Sequence, residues 1–493
     1  MFTLIIVGST IALSVAALYK YMTANQGVFK KLGIDHPPTS WFFGNAGLAF
    51  QHGNFDLQKL MYKQYKDHKV YGWYDMRRPV MVIKDLDIAK DIFIKNFNNF
   101  VDRYQIFDAD PPFKDNLLSL SGNHWKHVRG AISPVFSASK IKKMSGHIER
   151  NSKILLENLR QCQETGQEVE LKDICSNFAL DVIASTGFGL EINTQRDPKN
   201  KFAIEAKKVM NPNAAIITLI YFFPVVKTLL TALGIPVLSQ RSLEYFAELI
   251  DQVIEDRKKE ERMGTVNDFV DLVMRAEAES EQPGVKKLTR SEIHGQALAF
   301  ILAGFETVST VLSFTLFYLA MNPECCQKAQ EEVDDKCGEQ FPDYDEVQSL
   351  TYIDMCINES MRLAPPGFFN TRICVEDTVI HGIQIPKDMV VGVPVYAIHH
   401  DPEIYPEPEK FDPERFNSEN KASRHPMAHL PFGHGPRSCI GMRLALLELK
   451  MVLVTILQQL TPVPCSKSVF PIQLSKMQLK ATNGLWVKFI RRR

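Results

Sequence analysis

The sequence predicts a mainly α-helical protein with a small β component, preceded by a single N-terminal transmembrane helix. Three observations support this fold class. The chain opens with an apolar run that has no charged side chain. Apolar residues with the 3.6-residue period of amphipathic helices cover most of the remainder. Stretches rich in Val, Ile and aromatic residues, which favour strands, occur only in short regions.

The apolar segment at the N-terminus predicts a membrane anchor at residues 1–22. "FTLIIVGSTIALSVAAL", Phe2 to Leu18, is near the lower length limit for a helix that spans a bilayer. No positively charged region precedes it and no convincing cleavage site follows, which disfavours a signal peptide. Lys20, Lys30 and Lys31 lie on its C-terminal side, so the positive-inside rule places the rest of the chain in the cytosol. A buried helix is the alternative, but the run is not amphipathic.

The chain after the anchor divides into a linker, residues 23–40, and one globular domain, residues 41–493. Pro37 and Pro38 stiffen the linker and end any helix before them. The patterned segments of the domain include a β-hairpin at 71–85, amphipathic helices at 147–164 and 242–263, and short strands at 378–398.

Charge and cysteine content exclude several classes of function. The chain has 57 basic and 57 acidic residues, whereas a nucleic-acid-binding protein needs a basic excess. Its nine cysteines form no CxxC pair, and their number is odd. A disulfide framework and a zinc site are therefore disfavoured, and a reducing compartment is expected.

A second long apolar segment, residues 297–321, could be a membrane span or a core helix. It carries one charge, Glu306, in 25 residues. Thr289 and Glu292 have the spacing of a capping box before it, and Asn322-Pro323 closes it. A charge in the middle of a span is costly, so we predict a long helix through the protein core.

One cysteine lies in the loop "LPFGHGPRSCIG", residues 430–441. The helix after it is apolar nearly all round, which places Cys439 at a buried helix N-terminus. The macrodipole and free N–H groups there lower the pKa of a thiol. Gly433, Gly435 and Gly441 let a large flat group approach the backbone. A thiolate metal ligand is therefore favoured modestly over an inert buried cysteine or a catalytic nucleophile.

The residues around Cys439 match a longer pattern. Phe432, Gly435, Arg437, Cys439 and Gly441 form F-x-x-G-x-R-x-C-x-G, which resembles the haem-ligating signature of the cytochrome P450 superfamily. Further matches are W-x-x-x-R at 125–129, A-G-x-[DE]-T at 303–307, E-x-x-R at 359–362 and P-E-R-F at 413–416. The resemblance covers essentially the whole chain and is most similar to the microsomal clan that oxidises xenobiotics, steroids and lipids.

The resemblance implies the cytochrome P450 fold, with residues 41–493 as the catalytic domain. It implies haem b, iron protoporphyrin IX, with the Cys439 thiolate as the axial ligand of iron. Phe432 is expected to shield one side of the sulfur. The implied partners of the haem propionates are Trp125, Arg129, Arg372, Arg437 and Arg103, the last of which could equally be a solvated surface arginine. Such partners make sense because a buried carboxylate must be paired.

Three further residues are implied to be structural. Glu359 and Arg362 are three apart, on one helix face, and would form a buried ion pair if both pointed inward. Arg415 completes that network in the family, where it holds the cysteine loop against the core. A surface ion pair is the alternative for an E-x-x-R pattern taken alone.

Glu306 and Thr307 are the implied catalytic residues. In the family this acid–alcohol pair locally opens the long helix and relays protons for oxygen activation. A hydroxyl with an acid behind it can deliver protons through water. Val308 stands where the family often has a second hydroxyl, with Ser309 next, which leaves the fine tuning of the site open.

The expected function is insertion of one oxygen atom of O2 into xenobiotics, steroids or fatty acids. Electrons would come from a separate NADPH-dependent flavoprotein reductase, since the chain has no flavin- or nicotinamide-binding segment, and cytochrome b5 is a second candidate partner. The expected location is the endoplasmic reticulum membrane, with no nucleic-acid partner. The alternatives are a haem-thiolate isomerase or dehydratase that acts on lipid peroxides without O2 or reductase, and a non-catalytic haem protein.

Four segments are expected to line the substrate pocket. They are residues 107–120, 217–238, 301–307 and 365–370. Residues 221–238 are notably apolar, and they could dip into the membrane as a second contact or pack in the core. An apolar pocket fed from the bilayer favours lipophilic substrates.

Overall fold

Helices form most of the structure, which confirms the predicted fold class. The computed structural model describes residues 2–105, 111–223, 225–259, 268–271, 274 and 288–492. The α-helices described there are α1 (Phe2–Thr23), α2 (Val28–Leu32), α3 (Ala46–His52), α4 (Asn54–Gln64), α5 (Leu86–Lys90), α6 (Gly122–Ile132), α7 (Ala138–Thr165), α8 (Leu171–Phe188), α9 (Lys201–Met210), α10 (Ala214–Phe222), α11 (Val225–Ala232), α12 (Gln240–Lys259), α13 (Arg290–Met321), α14 (Pro323–Cys337), α15 (Tyr344–Ser349), α16 (Thr351–Leu363), α17 (Val395–His399), α18 (Ser418–Ser423) and α19 (Met442–Leu457).

Short strands form three small sheets. The strands are β1 (Val70–Asp75), β2 (Arg78–Ile83), β3 (Val169–Glu170), β4 (Asn370–Ile373), β5 (Thr378–Ile380), β6 (Ile383–Ile385), β7 (Val390–Val393), β8 (Leu460–Val463) and β9 (Trp486–Arg491). Their orders are β1-β2-β7-β4, β3-β9-β8 and β5-β6, and the β2–β7 pair is parallel. The hairpin predicted at residues 71–85 is confirmed, with Tyr71 opposite Val82.

One predicted segment differs from its expected extent, and two others are described only in part. The strand pattern at 378–398 ends early, because Pro394 lacks the N–H that a further ladder bond would need, and the chain turns into α17. Residues 260–263 of the predicted helix 242–263, and residues 107–110 of the predicted pocket segment 107–120, lie outside the described residues.

The long apolar segment is a core helix, as predicted. Helix α13 begins at a capping box in which the Thr289 hydroxyl accepts from the Glu292 amide. In the most apolar stretch of 18 residues in this helix, 72% is buried inside the protein. A Cβ on Gly304 would lie 2.8 Å from Ile183 Cδ1 of α8, so glycine allows α8 and α13 to pack closely. This helix is the centre around which the other core helices pack.

Helix α1 is exposed along nearly its whole length, as a membrane anchor would be. Its most apolar stretch of 18 residues is 0% buried, whereas the corresponding stretch of α13 is 72% buried. Near its end, Tyr19 packs against Trp41, with ring centroids 5.7 Å apart. Phe42, next in the chain, packs against Phe222 of α10 at 6.2 Å. The anchor and the α10–α11 region therefore meet on one side of the molecule.

That region carries several exposed apolar side chains, which we call the apolar face. Its members are Trp41, Phe43, Phe50, Leu219, Val225, Leu229, Leu233 and Ile235. None of the α11 residues is buried. The sequence leaves two alternatives for residues 221–238: contact with the membrane, or packing in the core. Helix α11 does not pack in the core.

The segment 23–40 contributes to the core. Phe29 on α2 is fully buried, and its ring lies 5.0 Å from that of Tyr74 on β1. A Cβ on Gly72 would lie 2.4 Å from the Phe29 ring. Glycine at position 72 thus lets α2 pack directly on the sheet.

We expect Gly72→Ala to destabilise the protein by about 1–3 kcal/mol, because the added methyl group displaces the buried Phe29 ring. Gly146→Ala is the matched control. Gly146 lies within α7, and a Cβ added there would meet no atom within 4 Å, so alanine should stabilise by roughly 0.5–1 kcal/mol. Thermal unfolding of the two variants measures both changes. Equal midpoints would show that residues 23–40 do not pack as described.

Candidate active site

The loop that carries Cys439 folds back on itself before α19. The Cys439 amide donates to the Phe432 carbonyl at 2.8 Å, and the Ser438 amide donates to the Gly435 carbonyl at 3.0 Å. The Cys439 sulfur accepts backbone N–H groups from Gly441 and Met442, at the start of α19. The free donors of a helix N-terminus therefore point at this sulfur.

Cys439 is accessible and yet surrounded by protein. Its side chain is exposed, while burial raises the pKa of its thiol. A side chain that faces an opening inside the protein has both properties: it is accessible, and protein atoms surround it. The N–H groups of Gly441 and Met442, and the nearby Arg129 and Arg103, lower this pKa but do not outweigh burial. Burial therefore outweighs the helix N-terminus, and the thiol pKa is raised, contrary to the sequence-based expectation of a lowered pKa.

The loop glycines serve local geometry as well as access. Gly433 and Gly435 have φ of 68° and 75°, in the left-handed region that favours glycine. A Cβ on Gly435 would lie 2.2 Å from the Phe93 carbonyl oxygen. Gly435 is therefore required for close packing against the backbone at Phe93, which the sequence did not indicate.

Four arginines gather beside Cys439. Arg437 is buried, with its guanidinium 4.7 Å from the Trp125 ring, and its Nη1 donates to the Val101 carbonyl at 2.7 Å. Arg103 Nη2 donates to the Arg437 carbonyl at 2.8 Å. Arg103 and Arg129 both act electrostatically on Cys439. The structure thus brings Trp125, Arg103, Arg129 and Arg437 together around the sulfur.

Arg372 completes the group of cations. It lies on β4, is 2% exposed, and sits 4.5 Å from the Phe93 ring. Burial and the neighbouring Arg103 and Arg437 hold the pKa of Arg372 well below its usual value. Burial likewise lowers the pKa of Arg437 to about 9. Together the four arginines place a high density of positive charge in the interior.

Among the described residues, none of these four arginines forms an ion pair with a carboxylate, although Asp102 acts electrostatically on Arg437. The Nε atoms of Arg372 and Arg437 and the Nδ2 of Asn370 are buried without a hydrogen-bond partner. Buried charges and donors require partners, so the arrangement fits a bound group with carboxylates of its own. The two propionates of haem would meet this requirement, and a cysteine sulfur beside them could bind its iron.

Thr307 and Ala303 face an opening on a helix that is otherwise mostly buried. Both residues are exposed although their neighbours Leu302, Phe305 and Val308 are buried. The Thr307 hydroxyl donates to the Ala303 carbonyl at 2.6 Å. Helix α13 is continuous through this point, so the local opening expected from the resemblance is not seen.

Glu306 is held by a residue that the sequence analysis did not identify. Lys172 of α8 lies 3.0 Å from its carboxylate and also donates to the Ser309 and Thr310 hydroxyls, at 2.7 and 2.8 Å. Burial lowers the pKa of Lys172, while Glu306 raises it. A lone lysine near the start of an apolar helix was a usable signal, because such a charge needs a partner.

Glu359 and Arg362 form a fully buried ion pair. Arg362 donates twice to Glu359, at 2.7 and 2.8 Å, and both side chains are 0% exposed. Arg415 lies 3.5 Å from the same carboxylate, which also accepts the Asp412 amide at 2.9 Å. Burial raises the pKa of Glu359, against the lowering effect of these donors. The network ties α16 to the segment that precedes the cysteine loop.

Comparison with known proteins agrees with this geometry. The model of the family described as Cytochrome P450 matches residues 35–488. The chain is 38% identical to cytochrome P450 3A7 of Homo sapiens over 473 residues, which are 94% of this chain and 92% of the relative. It is 36% identical to cytochrome P450 3A13 of Mus musculus over 491 residues, 98% of this chain and 96% of the relative. The protein is therefore a monooxygenase whose cofactor is haem with an axial cysteine thiolate, because the chain belongs to the cytochrome P450 family.

Proposed function

We propose that the protein inserts one oxygen atom of O2 into lipophilic molecules, with electrons from a separate flavoprotein reductase. The observation that carries this proposal is the group of four arginines beside Cys439, two of them buried, whose positive charge the carboxylates of a cofactor would compensate. Haem, when bound, supplies the iron at which O2 is activated. The reductase is inferred because the sequence contains no flavin- or nicotinamide-binding segment.

In this proposal Cys439 is the axial ligand. The Gly441 and Met442 amides stabilise negative charge on the sulfur, and they hold it at a set position through the start of α19. Phe432 lies in the same turn, because its carbonyl accepts the Cys439 amide. The propionates would be bound by Arg372 and Arg437, through their free Nε donors, and by Arg103, Arg129 and Trp125.

Thr307 and Glu306 are proposed to deliver protons. The Thr307 hydroxyl hydrogen is donated to Ala303, so the lone pairs of its oxygen are free to accept from water at the opening. Glu306 is 40% exposed, which lets its carboxylate exchange protons with solvent. Lys172 restrains that carboxylate, so proton delivery requires the Lys172–Glu306 contact to loosen. Glu359, Arg362 and Arg415 are proposed to support the cysteine loop from behind.

The apolar face supports lipophilic substrates and a second contact with lipid. It adjoins the anchor helix through Trp41 and Phe42. A molecule dissolved in the bilayer would thus reach the protein on the side formed by α10 and α11. We propose xenobiotics, steroids or fatty acids as the substrate class and the endoplasmic reticulum membrane as the location, with cytochrome b5 as a second electron donor.

An isomerase or dehydratase that rearranges lipid peroxides is the second candidate. It would keep the thiolate site and need neither O2 nor reductase. The presence of Glu306 and Thr307 favours the monooxygenase, because insertion of one oxygen atom of O2 with reduction of the other to water consumes protons, whereas isomerisation or dehydration of a peroxide consumes none overall. A non-catalytic haem protein is disfavoured for the same reason.

We expect dithionite-reduced protein under carbon monoxide to show the strongly red-shifted Soret band of a thiolate ligand. Cys439→His should abolish this band while haem stays bound, because imidazole replaces the sulfur. Cys465→His is the control, since Cys465 lies on the loop after β8 and not in the loop 430–441. A band that survives in Cys439→His would show that another group binds the iron.

We expect Thr307→Val to lower the ratio of oxidised product to NADPH consumed by at least about tenfold, because the hydroxyl proposed to position water for proton delivery is lost. The assay contains added reductase and a lipophilic substrate. Thr315→Val is the matched control, since both threonines donate to the carbonyl four residues earlier, at 2.6 and 2.8 Å. Equal ratios for the two variants, or turnover of a lipid peroxide without reductant as the sole activity, would contradict the monooxygenase proposal.

We expect a variant lacking residues 2–21 to bind liposomes at high salt through the apolar face. Leu229→Asp with Leu233→Asp should weaken that binding by at least about tenfold, because two exposed leucines leave the lipid. Val379→Asp is the control, because Val379 is 66% exposed on the separate β5–β6 hairpin. Co-sedimentation measures the bound fraction. If the truncated protein without the Asp substitutions does not bind liposomes at all, the membrane contact is made by α1 alone and the proposed contact of the apolar face is wrong.

A further inference from the structure

His399 lies between the buried ion pair and the cysteine loop. It is the last residue of α17 and is 0% exposed. Its Nε2 is 3.0 Å from the Leu430 amide nitrogen, and its Nδ1 is 3.2 Å from the Arg362 carbonyl oxygen. One ring thus contacts both the residue that pairs with Glu359 and the first residue of the loop 430–441.

The two contacts determine the tautomer of His399. A backbone N–H can only donate, so Nε2 must accept the Leu430 amide through its lone pair. A carbonyl can only accept, so Nδ1 must carry the hydrogen that it donates to Arg362. The ring is therefore neutral. Burial, together with His429, His400 and Arg362, holds the pKa of His399 well below its ordinary value, which agrees with this assignment.

A second bond fixes the backbone at His399. Arg362 Nη1 donates to the His399 carbonyl at 2.8 Å, so Arg362 and His399 are joined in both directions. The position of the ring thus follows the position of the buried Glu359–Arg362 pair. Because that pair is fully enclosed, the ring presents a rigid acceptor to the loop.

The bond to Leu430 continues toward the sulfur. The Leu430 carbonyl accepts the Gly433 amide at 3.0 Å, and the Phe432 carbonyl accepts the Cys439 amide at 2.8 Å. A shift of the loop at Leu430 would therefore move Phe432 and, through it, Cys439.

We propose that His399 is a positioning residue, which sets the place of the Cys439 sulfur by accepting the Leu430 amide. The proposal rests on the proposed function, in which Cys439 binds the haem iron. Without this bond, the Leu430 amide at the start of the loop would need water as its acceptor. His399 acts through Leu430 and does not contact the cofactor.

Two substitutions test the contacts of the two ring nitrogens separately. In His399→Gln the side-chain oxygen can reach the place of Nε2 and accept the Leu430 amide. In His399→Asn the shorter amide reaches only the place of Nδ1, where it can donate to Arg362. His400→Asn is the control, because the neighbouring His400 is buried and its Nδ1 contacts the Tyr396 carbonyl within α17, at 2.8 Å.

Two quantities are measured for each variant: the carbon monoxide spectrum of the reduced, full-length holoprotein, and the midpoint of thermal unfolding. The second shows whether a variant is destabilised overall. We expect the ratio of the red-shifted thiolate form to the shorter-wavelength form to fall about fivefold in His399→Asn relative to His399→Gln, as for the loss of one hydrogen bond. His400→Asn should keep the wild-type ratio. Equal ratios in the two His399 variants, or an equal loss in His400→Asn, would overturn the proposal.

Amide hydrogen exchange of the wild-type holoprotein is a second test, which needs no variant to fold. The Leu430 amide should exchange much more slowly than that of Phe432 in the same loop, because only the first is bonded to a buried ring. Equal and fast exchange would overturn the role of His399. A wild-type protein without the red-shifted band would instead refute Cys439 as the ligand, so the two failures are distinguishable.

Discussion

Buried positive charge beside Cys439 is the constraint on which the site depends. Arg372 and Arg437 are almost fully enclosed, and two further arginines lie against them. Such a group is unfavourable in a low-dielectric interior unless anions compensate it. The described residues supply carbonyl oxygens as hydrogen-bond acceptors, and none of their carboxylates forms an ion pair with these arginines. The free energy of the folded state is thus linked to a dicarboxylate cofactor, which explains why the loop, the sheet and α6 all contribute to one place.

A second, fully compensated charge network lies behind the loop. Glu359 and Arg362 satisfy each other and also hold His399, whose ring accepts the first amide of the loop. Removal of one partner of such a pair leaves a buried charge, which costs several kcal/mol. The two networks differ in how their charges are compensated: the first is proposed to bind the carboxylates of a cofactor, and the second pairs its own charges and contacts the cysteine loop through His399. Helix α19 adds the N–H groups that face the sulfur.

Much of the site was predictable because its signals are local in sequence. The capping box of α13, the hairpin at β1–β2 and the spacing of Glu359 and Arg362 follow from short-range geometry. The pattern around Cys439 identified the cofactor through resemblance. The expected lowering of the Cys439 pKa was wrong because the depth of burial, which outweighs the helix N-terminus, depends on distant segments. The expected opening of α13 also did not appear, since its hydrogen bonds run unbroken through Thr307.

The sequence by itself determined the helical fold, the exposed apolar helix at the N-terminus and, through the resemblance, the haem cofactor and the residues proposed to bind it. These depend on periodicity and on motifs of about ten residues. Only the tertiary structure decided that Lys172 holds Glu306, that Gly435 packs on Phe93, and that His399 joins Arg362 to Leu430. Each of these contacts connects residues that are far apart in the chain. No local pattern encodes them, because they arise from how the helices pack against one another.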